Sequence, residues 1–99
     1  MAAGNKTYLH LAASFSGALS VNSGAILGGV VINTAPTGTN GTLAIYDDTS
    51  AVAAHLIANI NLVNPNVPGF EYNCVASRAL FIVFTQGGTI AGDITITYQ

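Results

Sequence analysis

The chain has 99 residues, of which 6% are charged and 51% hydrophobic, with a formal net charge of −2; ordinary soluble proteins carry about 25% charged residues. This length gives room for one core, so a single domain over residues 1–99 is expected, with residues 1–6 as a flexible or contact-forming arm. Lys6 and Arg78 are the only fixed cations, too few to neutralise a run of phosphates, and nucleic acid is not expected as a partner.

Taken in chain order, Thr7 to Phe15 and Ala25 to Asn33 predict two strands, the second with Gly28-Gly29 in its interior, where a bulge or a close backbone approach is the usual cause. Thr39-Asn40-Gly41 signals a turn into a strand over Thr42 to Tyr46, and Asp47-Asp48-Thr49-Ser50 closes it as a hairpin bend. Thr49-Ser50 would cap one or two helical turns at most, too little to stand alone, so the following residues read as loop. His55 to Leu62 then predicts a strand paired with the preceding one, with Leu56, Ala58, Ile60 and Leu62 on one face.

Pro65 and Pro68 donate no ladder hydrogen bond, so the stretch from Asn64 to Gly69 is a loop before a strand over Phe70 to Val75. Ala79 to Thr85 is apolar on both faces and rich in β-branched and aromatic residues, the pattern of a central strand covered on both sides. Gln86-Gly87-Gly88-Thr89 turns the chain, and Ile94, Ile96 and Tyr98 alternate with Thr95, Thr97 and Gln99 in a half-buried final strand. Seven strands without long helices predict an all-β antiparallel sandwich, immunoglobulin-like or jelly-roll.

No apolar run reaches the about 18 residues of a membrane-spanning helix, and a chain without Trp lacks the aromatic girdles of a membrane barrel. A membrane is therefore not expected as a partner. Met1 to Lys6 lacks the basic and apolar regions of a signal peptide, so Sec-type export is not expected either. Cys74 is the sole cysteine, which rules out an intrachain disulfide.

The chemistry available is sparse. The acids are Asp47, Asp48, Glu71 and Asp93, and the histidines are His10 and His55. Asp47 and Asp48 are adjacent and so point to opposite sides of an extended chain, unlike the facing carboxylates of a glycosidase. As a calcium site the pair supplies only part of a shell of six or more oxygens. His10, His55 and Cys74 match no compact zinc spacing, and no third group orients a Cys-His pair. Gly28-Gly29 and Gly87-Gly88 lack the lysine and the helix of a phosphate loop. No catalytic residue, metal or cofactor is expected, and the chain does not read as an enzyme. Tyr8, Tyr46, Tyr72 and Tyr98, with Asp47 and Asp48, are the residues with potential as interface or ligand contacts.

The segment Gly41-Thr42-Leu43-Ala44-Ile45-Tyr46-Asp47-Asp48-Thr49-Ser50-Ala51, then Leu56-Ile57-Ala58-Asn59-Ile60, and the ending Gly87-Gly88-Thr89-Ile90-Ala91-Gly92-Asp93-Ile94-Thr95-Ile96-Thr97-Tyr98 resemble small tailed-bacteriophage virion proteins. The group's pattern reads GTLxIYDGTSA, IATI, GLFVV and GGTxxDITVxY, and Asp48 stands where it has glycine. The resemblance implies a capsid decoration (cement) protein: a small sandwich, commonly trimeric, that braces a phage head. The implied partners are copies of itself and the major capsid protein or another virion protein; the implied location is the virion, assembled in the host cytoplasm. Scarce charge agrees, since each imperfectly paired charge in a contact face carries a desolvation penalty. The alternative is a host-recognition or carbohydrate-binding module of a phage fibre or tail, which would gather tyrosines and the Asp47-Asp48 turn at one loop end.

Overall fold

A computed structural model describes residues 7–37, 40–63, 67–87 and 92–99. The expected N-terminal arm, and parts of the turns expected around Asn40, Asn64 to Gly69 and Gly88-Thr89, lie outside them. Among the described residues eight strands are formed: β1 (Thr7–Leu11), β2 (Phe15–Ser20), β3 (Ile26–Thr34), β4 (Asn40–Tyr46), β5 (Leu56–Asn61), β6 (Gly69–Val75), β7 (Leu80–Gly87) and β8 (Asp93–Tyr98). They make two four-stranded sheets, with orders β1-β8-β3-β6 (sheet A) and β2-β7-β4-β5 (sheet B).

All pairings are antiparallel, and four of them are nested: β1 with β8, β2 with β7, β3 with β6, and β4 with β5. A long hairpin rolled up into two layers gives this order, which is that of a jelly roll rather than an immunoglobulin sandwich.

The expected strand over Thr7 to Phe15 is two strands in different sheets. At Ala12-Ala13-Ser14 the chain leaves sheet A and enters sheet B. The corner is held by Gln86, whose Nε2 donates to the Ala12 carbonyl at 3.1 Å and whose backbone N–H donates to Ser14 Oγ at 3.1 Å. Because Gln86 is more than 70 positions away, the alternation along residues 7–15 reads as continuous although the sheet changes.

The core follows from the two-residue pleat. In sheet A, Leu9, Ile96, Val30 and Phe70 align across all four strands, and Leu11, Ile94 and Ile32 align in the next inward row. In sheet B, Phe15, Phe84, Leu43 and Ile60 form one row, and Gly17, Ile82, Ile45 and Ala58 another. Leu27, Leu43, Ile45, Leu62, Leu80, Ile82, Ile94 and Ile96 are fully buried. Each buried side chain of this size contributes about 1.5–3 kcal/mol.

Two irregularities shape the surfaces. Gly28 is an extra residue between the β3–β8 pairs Leu27 with Tyr98 and Gly29 with Thr97, so the expected bulge at Gly28-Gly29 is present. In sheet B the register shifts between Ile45 and Tyr46, which leaves Ile57 as the extra residue on β5. That shift moves Leu56 to the outer side, where it is 44% exposed, whereas alternation alone places it with Ala58, Ile60 and Leu62. Residues Ala53–His55, expected as loop, form a single 3₁₀ turn.

Candidate functional site

Three of the four acids are engaged by the fold itself. Asp47, at the end of β4, accepts backbone N–H groups from the loop between β6 and β7: Arg78 at 2.7 Å and Ala79 at 3.3 Å on Oδ1, and Ser77 at 3.1 Å on Oδ2. The Arg78 guanidinium lies 3.9 Å away. The Arg78 N–H, followed by those of Ser77 and Ala79 and by the guanidinium charge, holds the Asp47 carboxyl below its ordinary value. Sequence reasoning expects this aspartate to bond within its own turn, but it bridges two loops about 30 residues apart.

Asp48 turns the other way. It accepts the Thr49 N–H at 2.6 Å, and its Oδ2 lies 2.7 Å from His55 Nδ1. The bond to His55, then that to Thr49, lowers its carboxyl too. An ionised carboxylate only accepts, so His55 carries its proton on Nδ1. Asn73 is the only non-glycine residue with a positive φ among those described, so Asp48 occupies the pattern's glycine position without left-handed backbone.

On the outer face of sheet A, Asp93 Oδ1 accepts from Asn33 Nδ2 at 2.9 Å and from His10 Nε2 at 2.6 Å, while the same Asn33 amide also reaches Thr95 Oγ1 at 3.0 Å. Asn33, then His10, lowers the Asp93 carboxyl. The network ties β1, β8 and β3 together. Each histidine is thus the partner of a carboxylate, and among the described residues no hydroxyl or thiol hydrogen-bonds the second ring nitrogen of either. No group of three or more His, Cys, Asp or Glu side chains among them is placed to hold a metal ion.

All three lowered carboxyls favour the folded state in their ionised form. Their contribution is complete above the unfolded-state value of 3.8 and is lost as the pH falls through the lower folded values. Thermal unfolding followed across acidic pH is therefore expected to show Tm steady near neutrality and falling below about pH 4. Asp47→Asn is expected to lower Tm by several degrees at neutral pH and to flatten part of this acid limb.

The four tyrosines do not gather at one place. Tyr72 on β6 and Tyr98 on β8 are half-buried against the core, and burial, with Cys74 nearby, pushes the Tyr72 phenol up. Cys74 packs half-buried on the same cluster. Tyr46 is half-buried on the outer face of sheet B, and Tyr8 on β1 is 69% exposed on the outer face of sheet A. Of the residues expected to meet at a loop end, only Tyr46, Asp47 and Asp48 are neighbours, and both carboxylates there already have partners.

Two surfaces stand out. The outer face of sheet B has a row that crosses every strand: Ala18, Phe81, Tyr46 and Leu56. The adjacent row is Ser16, Val83, Ala44 and Asn59, and beyond it lie Thr85, Thr42 and Asn61. None of these side chains is charged. The outer face of sheet A instead has a cleft of about 470 Å³ above Gly28, Gly29 and Gly69. Sequence reasoning missed both, because each row is assembled from strands far apart in the chain. No protein-family model, no curated protein and no solved structure matches the chain.

Proposed function

We propose that this chain is a structural virion protein, a capsid decoration (cement) subunit that binds a phage head through the outer face of sheet B. The observation that carries the reading is β7. It lies between β2 and β4, its inner residues Leu80, Ile82 and Phe84 are buried, and its outer residues Phe81 and Val83 are as apolar as a buried strand's but only half-buried among the described residues. A face with an apolar row from edge to edge, then amides and hydroxyls, and no charge, loses water at little polar cost when a partner covers it. Jelly rolls recur in viral shells and in lectins, so the architecture is compatible with this role as analogy only. The reading assigns no catalytic residue.

The test is deletion of the protein from its phage, followed by exposure of the particles to heat and low salt. Particles lacking it are expected to release their genome at a lower temperature, and unchanged particle stability would refute the proposal. Phe81→Glu places a charge in the middle of the apolar row without touching the inner face. The variant is expected to keep its Tm within a few degrees and to be lost from purified virions, as measured by quantitative gel analysis of the particles.

A further inference from the structure

The second surface lies on the opposite side of the sandwich. In register across sheet A run Tyr8, Thr97, Gly29 and Glu71, and beside them His10, Thr95, Val31 and Gly69. Inward-facing Leu9, Ile96, Val30 and Phe70 alternate with these positions, so both rows face outward. With glycine at the third position of one row and the fourth of the next, the sheet is bare backbone between taller walls. The cleft of about 470 Å³ sits there, lined by Glu71, Asn73, Thr97 and Val31, a volume within the about 300–1,000 Å³ of small-molecule sites. It adjoins a second hollow of about 210 Å³, shared through Gly28 and Asn73 and closed by Tyr98 and Gln99.

Three observations give this cleft a chemistry. Glu71 is exposed, and among the described residues it is the one acid that no hydrogen bond or ion pair engages. Asn73 lines both hollows and holds φ at 49°, a left-handed conformation rarely adopted outside glycine, where the register between β3 and β6 shifts. Tyr8 stands beside Thr97 with most of its ring in solvent, in reach of a ligand lying on the glycines.

From these we infer that the outer face of sheet A is a binding site for a neutral saccharide, one hexose or N-acetylhexosamine unit of a glycan. A carboxylate and amides spaced around a flat floor suit a ring of hydroxyls, and an exposed tyrosine offers its face to the C–H side of a sugar. A phosphate or an acidic sugar would meet Glu71 with no cation among the described residues that line the cleft. A calcium ion would find one carboxylate where it needs six or more oxygens. The site is independent of sheet B, so it stands or falls separately from the docking proposed above.

The experiment is a titration of the ¹⁵N-labelled full chain with the methyl glycosides of glucose, galactose and mannose, with N-acetylglucosamine, and with galacturonate. At least one neutral sugar is expected to shift the amides of Gly28, Gly29, Glu71, Asn73 and Thr97 at millimolar concentration, and galacturonate to shift none. Tyr8→Ala and Glu71→Gln are each expected to weaken the binding about tenfold with Tm unchanged, since both side chains are exposed. Amides that stay in place with every sugar overturn the assignment. So do equal shifts with galacturonate, or variants that bind like the parent.

Discussion

Phe84→Ala is expected to lower the free energy of unfolding by about 3–5 kcal/mol, read as a fall in the urea midpoint at unchanged slope. Phe84 is the largest fully buried side chain among the described residues, and in sheet B it is paired with Leu43 on one side and Phe15 on the other. Its removal takes the middle out of the inward row that ends at Ile60. The backbone of β7 cannot move inward to fill the space, because β2 and β4 hydrogen-bond it on both edges. Most of the vacated volume therefore persists as a cavity. A domain of this size has about 5–15 kcal/mol in total, so the variant is expected to be partly unfolded at 37 °C. A loss below about 1 kcal/mol would mean that the two sheets repack, and would count against the tightly paired core described above.

Gly69→Val is expected to rank next, with a loss of about 3 kcal/mol, at the upper end of overpacking. A Cβ at Gly69 falls 2.6 Å from the Val30 carbonyl oxygen, and on the facing strand a Cβ at Gly29 falls 2.7 Å from the Phe70 carbonyl oxygen. Both obstacles are backbone, so relief requires β3 and β6 to separate. Gly17→Ala is the informative control. Its Cβ falls 2.8 Å from the Phe15 ring, almost the same distance, yet that ring is the far end of a side chain 37% exposed and can swing aside. Comparable distances should thus give unequal penalties, and urea unfolding of the variants side by side measures the difference. Equal penalties would refute the view that close strand approach dictates glycine on β6.

The parts of the fold legible in the sequence are those governed by near neighbours. Ile94, Ile96 and Tyr98 announce their strand by alternation alone, and Gly28-Gly29 marks its bulge because a missing side chain is a local fact. The hairpin of β4 with β5 was equally readable, since turn residues lie between two apolar runs. What was not legible depends on residues far apart. The corner at Ala12 to Ser14 is set by Gln86, and the phase of Leu56 is reversed by a single extra residue that only the facing strand reveals. The choice of a jelly roll over an immunoglobulin sandwich is likewise a matter of strand order, which the period of a pattern does not encode.

The surfaces follow the same division. That Ala79 to Thr85 is apolar on both sides is plain in the sequence and predicts a strand covered twice; in the structure one side is fully buried, and Phe81 and Val83 on the other are half-buried. Asp47 and Asp48 were readable as turn residues, but not the partners of Asp47 in the loop at residues 77–79. His10 and Asp93 are separated by 83 positions and meet only because β1 and β8 pair. The cleft of sheet A needs Gly29, Glu71 and Thr97 from three strands, with Tyr8 of a fourth in the same row, and no spacing in the chain joins them.

The nested order of the strands also governs when this molecule can come into being. β8, the last of the eight strands made, lies inside sheet A between β1 and β3, so until it arrives β1 has no neighbour and sheet A has only its β3–β6 pair. The β4–β5 hairpin can form on the ribosome, but the outer pairs must wait for β7 and β8. At about 5–20 residues per second, the early strands, with the inward apolar residues they carry, spend seconds without their cover. Sandwiches dominated by distant pairings fold in milliseconds to seconds, so the apolar strands stay unpaired for longer during synthesis than the finished chain takes to fold.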